Sequence, residues 1–146
     1  MSTTADPADG LRNLVERLGI GAGMVVQELG YDDDVDESLR RAVVERCGSD
    51  LVDENYDDVV DAVLLWWRDG DGDLVDTLVD ALGPLTENGV IWLLTPKVGR
   101  DGHVEPSDVN EAAPTAGLTQ TTSLSAGRDW SASRLVSPRS SRSPRR

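Results

Sequence analysis

The stretch Asp61–Lys97, DAVLLWWRDGDGDLVDTLVDALGPLTENGVIWLLTPK, decides the fold class. Its pattern predicts a strand over Asp61–Trp67, an acidic loop, an amphipathic helix over Leu74–Leu82, a turn over residues 84–88 and a strand over Gly89–Thr95. Both strands are apolar nearly throughout, which is typical of parallel strands that are buried on both faces. The stretch therefore predicts two parallel strands joined by a helical crossover.

The residues before this stretch predict two helices and the strand between them. A short helix is expected over Asp9–Leu18 and a strand over Met24–Leu29. The acidic run that starts at Asp32 opens a second helix, which Gly48 ends, because acidic side chains complement the positive end of a helix dipole. Residues 51–52 are compatible with a short edge strand.

The residues after the stretch predict a helix and an antiparallel pair of strands. The helix begins at Pro106 or Ser107 and ends near Gly117, and the strands cover Leu118–Ser125 and Ser131–Val136. The whole order of elements predicts an α/β fold: a three-layer Rossmann-like open sheet, mostly parallel, with a C-terminal antiparallel strand pair.

The charge of the chain is distributed unevenly. The 146 residues carry a formal charge of −13, but residues 134–146 hold five Arg and no acidic residue. The remaining residues carry 9 basic and 27 acidic side chains, a charge of −18. Such a body repels nucleic acid and anionic membrane surfaces. We therefore do not expect the body of the protein to bind either of them.

The same composition leads to expectations about compartment and domains. No secretory signal and no apolar run long enough to span a bilayer are visible, and the single Cys47 suits a reducing compartment. We expect a cytoplasmic protein with a flexible N-terminus over residues 1–9. A single Rossmann-like α/β domain is expected over residues 10–136, followed by a disordered Arg/Ser/Pro tail over residues 137–146.

Two motifs fail on inspection. The run Gly19-Ile-Gly-Ala-Gly23 precedes a strand, whereas a dinucleotide fingerprint follows one. The run Asp69-Gly-Asp-Gly-Asp73 matches the first three ligand positions of an EF-hand loop, but Leu74 and Asp80 stand where Gly and Glu are needed. It is better explained as a solvated turn in which Asp73 caps the next helix, which Gly83 then ends at the C′ position. Weak divalent-cation binding is the alternative.

No metal or cofactor site emerges from the remaining residue types. His103 and Cys47 are each the only residue of their kind, and zinc sites need several such ligands. We predict no metal site, and the sequence leaves the cofactor unknown.

The loops after the predicted parallel strands carry polar residues. The carboxyl ends of parallel strands lie at one sheet edge, which is where open sheets bind their ligands. Lys97 is the strongest candidate for an anion contact there; the alternative is a surface lysine that pairs with a nearby Asp. The candidate ligand-binding residues at this edge are Gly30, Asp32, Asp69, Asp71, Lys97 and Arg100.

Four segments of the chain resemble an uncharacterised, mainly actinobacterial family labelled domain of unknown function 3052. The resemblance covers about residues 10–137 and implies the open-sheet fold, but it implies no activity and no catalytic residues. The segments are LGIGAGMVVQELGYDDDVDESLR, DAVLLWWRDGDGDLVDTLVDAL, GVIWLLTPKVGRDGHVEPSDVNEAAPTAGL and DWSASRLV.

A looser similarity, at the level of the fold, is to Rossmann-like methyltransferases. These enzymes also have a crossover helix, a strand, a helix and a final antiparallel pair. They place a glycine-rich turn directly after the first strand, where it approaches the methionine part of the methyl donor. This chain has ELGYDDDVDE at that place, which departs from the pattern.

Intact strand and helix patterning without a ligand motif predicts a non-catalytic regulatory or interaction module on a Rossmann-like scaffold, with a protein partner. The alternative is a small-molecule-binding protein or a degenerate methyltransferase-like enzyme that uses the carboxyl edge. The Arg-rich tail leaves three interpretations open: contact with nucleic acid or a membrane, folding back onto the acidic body, or a dispensable extension. Nucleic-acid binding through the tail ranks lowest, and no membrane association is predicted.

Overall fold

The computed structural model describes residues 7–137, with side-chain surroundings from Gly10 onward. Residues 1–6 and 138–146 lie outside the described range, so most of the predicted flexible N-terminus and of the predicted tail does too. The elements are α1 (Pro7–Arg17), β1 (Val26–Leu29), α2 (Glu37–Cys47), β2 (Val60–Trp66), α3 (Leu74–Leu82), β3 (Leu85–Pro96), α4 (Pro106–Thr115), β4 (Thr119–Ser125) and β5 (Trp130–Val136).

The five strands form one sheet in the order β1-β2-β3-β5-β4. β1, β2 and β3 are parallel, while β5 runs antiparallel to both β3 and β4. Val52 forms a single parallel bridge with Gln27 beyond β1, so the expected edge strand at residues 51–52 is reduced to one bridge. The order and directions confirm the predicted fold class.

Each face of the sheet carries its own core, because successive strand residues point to opposite faces. The first core joins the sheet to α1 and α2 and contains Trp66, Trp92 and Trp130. The second core joins it to α3 and α4 and contains Trp67. All four Trp side chains are buried and belong to these cores. The molecule thus has helix, sheet and helix layers.

Local capping sets the starts of α2 and α3. Asp36 accepts a hydrogen bond of 3.0 Å from the backbone N–H of Leu39 at the start of α2. Asp73 accepts one of 3.2 Å from the N–H of Asp76 at the start of α3, as the sequence predicted. Gly48 follows α2 with a φ of +86°, the left-handed conformation that ends many helices.

The end of α3 and the start of β3 differ from the prediction. Gly83 follows α3 but keeps a right-handed φ of −51°, and its N–H donates to Asp80 in a tightened last turn. The predicted turn over residues 84–88 is wrong, since β3 already begins at Leu85. Leu85 pairs with Val60 and packs against the second core, and a bulge then absorbs the polar residues that follow. Strand pairing together with the partial burial of Leu85 thus outweighs a local turn signal.

Gly30 offers a test of how closely the chain packs where β1 ends. Its φ is +79°, and a Cβ atom at this position would lie 2.2 Å from the carbonyl oxygen of Trp66. We expect Gly30→Ala to lower the free energy of unfolding by about 2–4 kcal/mol, because it combines backbone strain with a steric clash. Urea unfolding measures the loss.

Gly99→Ala is the matched control. Gly99 has a similar φ of +87°, but a Cβ atom there would meet nothing within 4 Å. Its substitution should lower the free energy of unfolding by about 1 kcal/mol, because it adds backbone strain without a steric clash. Equal losses at Gly30 and Gly99 would contradict the close approach of the two strand ends.

Candidate functional site

The loops after β1, β2 and β3 meet at the carboxyl edge of the sheet. The N–H of Trp67 donates to the carbonyl of Leu94 at 2.8 Å, which carries the pairing past the end of β2. The N–H of Asp69 donates to the carbonyl of Gly102 at 2.9 Å, which joins the loop after β2 to the loop after β3. This edge is therefore a single surface built from distant parts of the chain.

Arg68 lies at the centre of this edge. Its guanidinium donates to the carbonyl oxygens of Gly30, at 2.8 Å, and of Trp66, at 3.2 Å. It also donates to both carboxylate oxygens of Asp34, with 2.9 Å between Nε and Oδ2. The Arg68 side chain is 13% exposed although it follows a strand end. The guanidinium thus fills the space between the ends of β1 and β2.

Two further groups hold the Arg68 side chain in place. Trp130 lies beneath it, with 5.3 Å between the guanidinium carbon and the ring centroid, and the indole N–H donates to the carbonyl of Asp34 at 3.2 Å. The Asp71 carboxylate accepts from the backbone N–H of Arg68 at 3.0 Å and lies 3.5 Å from the Nη1 atom of its guanidinium. The ring contact is a cation–π interaction, so apolar packing and charge both favour this position of the guanidinium.

The ion pair shifts the pKa of both partners. The hydrogen bond from Arg68 holds the pKa of the Asp34 carboxyl below its usual value. The hydrogen bond to Asp34 raises the pKa of the Arg68 guanidinium. Both groups are therefore charged at neutral pH, and neither is tuned for proton transfer near pH 7.

A second ion pair lies beneath this edge, in the first core. Glu28 on β1 is 8% exposed. Its carboxylate accepts from Arg40 Nε at 2.6 Å, from Arg40 Nη2 at 2.8 Å and from Trp66 Nε1 at 2.9 Å. The hydrogen bond to Glu28 is the largest cause of the raised pKa of Arg40. Three donors thus occupy most of the acceptor sites of the buried Glu28 carboxylate.

Tyr31 and Glu37 extend this pair to the surface. The Tyr31 hydroxyl donates to Glu37 at 2.8 Å, and Arg40 Nη1 donates to the other Glu37 oxygen at 2.7 Å. The Arg40 guanidinium also lies 4.5 Å from the centroid of the Tyr31 ring. The loop after β1 is thereby fixed to α2.

Lys97 and Arg100 hold the loop after β3 against the connection between β4 and β5. Lys97 Nζ donates to the Ser125 hydroxyl at 2.6 Å and to the Gly127 carbonyl at 2.9 Å. Arg100 lies 3.4 Å from the Asp129 carboxylate. Lys97 thus contacts neutral oxygens. The alternative interpretation was a surface lysine that pairs with a nearby Asp, and the contacts of Lys97 do not include one. An anion at Lys97 would have to compete with these bonds.

The other candidate residues divide into two groups. Gly30 and Asp71 both contact Arg68. Asp32 and Asp69 are exposed at the rim, where Asp32 accepts from the N–H of its neighbour at 2.8 Å. The structure thus brings two of the six candidates onto one guanidinium, and ligand binding by any of the six remains a prediction.

The residues that organise this edge are not among the six candidates predicted from the sequence: Arg68, Asp34, Glu28 and Trp130. Two features of the sequence indicated that Glu28 and Arg68 are unusual. Glu28 follows Gln27 in a strand whose other residues are apolar, and Arg68 directly follows the pair Trp66-Trp67. A charged residue in such a place needs a partner. The partner itself was not readable, because Asp34 lies 34 residues from Arg68 along the chain.

Two negative findings apply to residues 7–137. In that range, no three His, Cys, Asp or Glu side chains are grouped so that they could hold a metal ion. Nor is any helix of the described segment long and apolar enough to cross a bilayer. The run Asp69–Asp73 is used internally, since Asp71 binds Arg68 and Asp73 caps α3.

Solved structures similar to this one include methyltransferases. The mitomycin 7-O-methyltransferase MmcR matches with a TM-score of 0.62 and 11% identity, over 89% of this chain and 53% of that one. The chain thus spans about half the length of MmcR. A SAM-dependent methyltransferase from Aquifex aeolicus matches with a TM-score of 0.57 and 14% identity, over 89% and 93% of the two chains. At these identities the likeness concerns the fold alone.

Relatives at the level of sequence are much closer. The uncharacterized proteins Rv2239c of Mycobacterium tuberculosis and Mb2263c of Mycobacterium bovis are each 56% identical over 138 residues, which is 94% of this chain and 87% of theirs. A family model described as "Protein of unknown function (DUF3052)" matches residues 15–139. The chain therefore belongs to the DUF3052 family.

Proposed function

We propose that the protein is a non-catalytic regulatory or interaction module on a methyltransferase-like scaffold. The observation that carries this proposal is the position of Arg68. Its guanidinium occupies the carboxyl edge between β1 and β2, where open α/β sheets receive their ligands. It is held there by Gly30, Trp66 and Asp34. A ligand at this place would have to break a partly buried, charge-assisted network.

The fold raises the question of S-adenosylmethionine, and the residues present do not fit it. Gly30 is the one glycine in the loop between β1 and α2. Its carbonyl oxygen already accepts a hydrogen bond from Arg68. Asp32, Asp33 and Asp34 follow, and their charge repels the carboxylate of the cofactor's methionine part. We therefore assign no methyl transfer to this protein.

The alternative function is small-molecule binding, or a degenerate methyltransferase-like activity, at the same edge. The likeness of the fold to methyltransferases favours it. Asp32, Asp69, Lys97 and Arg100 would be the contacts, and Arg68 would have to move first. This requirement makes the alternative weaker than the non-catalytic proposal.

Two exposed apolar side chains support a protein partner at this edge. Tyr31 is 54% exposed after β1, and Val98 is 81% exposed in the loop after β3. Tyrosine is enriched at protein interfaces, where it combines apolar contact with a polar tip. The ion pairs beneath these residues hold both loops in a fixed shape, which lowers the entropy cost of binding.

The first prediction concerns the methyl donor. We expect S-adenosylmethionine to leave the melting temperature of the protein unchanged in a thermal-shift titration, because Arg68 and the acidic loop exclude it. A ligand present at one hundred times its Kd would add about 2.7 kcal/mol, a rise of several degrees. Such a rise with the wild-type protein would support the alternative function.

The second prediction concerns pH. Because the folded pKa of Asp34 lies below the unfolded value of about 3.9, the pair with Arg68 stabilises the fold above that pH and is lost as the pH falls through the folded pKa. Asp34→Asn should cost about 0.5 kcal/mol at pH 7, since the pair is half exposed, and less at pH 3. Unfolding free energies at both pH values test this, and an unchanged difference would contradict it.

The third prediction concerns the partner. The tagged protein, purified at native expression from the cells that produce it, should bring down a stoichiometric partner. Val98→Asp should lower the recovery of that partner about tenfold, a change of about 1.4 kcal/mol in binding. Quantitative mass spectrometry measures the recovery.

Val79→Asp provides the control for this experiment. Val79 is 49% exposed on α3, so this substitution introduces the same charge on a different element. It should leave the recovery unchanged. Equal loss with both variants, or clean recovery of the protein alone under all conditions, would count against an interaction module that uses the carboxyl edge.

A further inference from the structure

A groove of about 530 Å³ lies between β1, the segment that leads into β2 and the C-terminal end of α3. Its apolar lining includes Val59, which is 58% exposed, and the ring of Tyr56. Gln27 and Leu29 contribute from β1, and Gly83 and Pro84 from the connection to β3. The groove shares no residue with the Arg68 network, so its use is independent of the proposed function.

The rim of this groove is acidic. Glu54, Asp57, Asp58 and Asp80 line it. The Asp58 carboxylate accepts the backbone N–H of Val59 at 2.8 Å. Within residues 7–137, none of the four acids forms an ion pair with a basic side chain. An apolar groove with four uncompensated negative charges fits an occupant that is basic and partly apolar.

The chain itself supplies a segment of this kind near the groove. β5 ends at Val136, which pairs with Val90 on β3. Earlier in β3, Leu85 pairs with Val60. Pro84 directly precedes Leu85, Val59 directly precedes Val60, and both line the groove. The nine residues after Ser137 can span up to about 30 Å, which is several times the spacing of neighbouring strands. The end of the described chain is therefore within reach of the groove.

The composition of these nine residues matches the groove. The sequence PRSSRSPRR holds four Arg and no acidic residue, against four acids on the rim. Arg pairs with carboxylates through two parallel hydrogen bonds. Pro138 and Pro144 favour an extended polyproline conformation, which docks on grooves with an aromatic lining such as Tyr56.

We propose that this groove binds the C-terminal segment 138–146 of the same chain. The carboxylates of the rim receive the Arg side chains, and Tyr56 and Val59 receive the prolines. Because the segment is tethered at Ser137, binding is intramolecular and needs little intrinsic affinity. The segment thereby neutralises part of the acidic body and covers the exposed Val59.

The test uses the full-length chain with the four tail Arg changed to Gln at positions 139, 142, 145 and 146. A fluorescent peptide of sequence SPRSSRSPRR should bind this variant in an anisotropy titration. It should bind the wild-type chain at least about tenfold more weakly, because the wild-type tail competes from a high effective concentration. Raising the salt from 50 to 500 mM should weaken the binding.

A matched pair of substitutions locates the binding site. In the Gln-tail variant, Asp57→Asn with Asp58→Asn should weaken peptide binding about fivefold, the loss expected from two exposed pairs. The control is Asp32→Asn with Asp33→Asn at the carboxyl edge. It also removes two negative charges from two residues that are adjacent in sequence. In both pairs, one carboxylate accepts a hydrogen bond from the backbone N–H of the next residue.

Three results would overturn the proposal. The first is absence of peptide binding to the Gln-tail variant at low salt. The second is equal weakening by the two Asn pairs, which would mean that the peptide responds to net charge alone. The third is a dimer of the Gln-tail variant, detected by light scattering, that is lost when Asp57→Asn and Asp58→Asn are added. This result would mean that a second copy of the chain occupies the groove.

Discussion

One buried carboxylate connects the parts of this fold that carry the candidate site. Glu28 lies on β1, accepts two hydrogen bonds from Arg40 on α2 and a third from Trp66 on β2. A charge buried without partners costs several kcal/mol, so these three groups must hold one arrangement. The loop between β1 and α2 is thereby fixed at both ends, and Asp34 within it is brought to Arg68. Closure of the carboxyl edge depends on this arrangement.

The loops at the carboxyl edge of this sheet approach one another closely. In an open α/β sheet the carboxyl ends of the strands surround a crevice, because the loops turn away on either side. Here Gly30 approaches the Trp66 carbonyl directly, and a guanidinium fills what remains. Lys97 and Arg100 are likewise engaged by the connection between β4 and β5. The polar residues of this edge therefore stabilise its shape, and that shape is what a partner would meet.

The sequence predicted the elements best where a local signal and burial agree. Asp73 and Gly48 are cap residues that mark helix ends without help from the rest of the chain. β2 and the second half of β3 are apolar enough to be strands in any parallel sheet. The prediction failed over residues 84–88, where the local composition favours a turn but Leu85 is more stable when packed on the second core.

By itself, the sequence determined the order of helices and strands, the parallel crossover and the absence of a glycine-rich turn after β1. These are properties of short stretches, and the physical chemistry of caps, strand periodicity and composition acts within a few residues. Only the tertiary structure decided which charged groups are paired. Glu28 and Arg40 are 12 residues apart along the chain, and Asp34 and Arg68 are 34 residues apart. Such pairs form because the sheet brings strand ends together, and a charge that is buried there needs a partner.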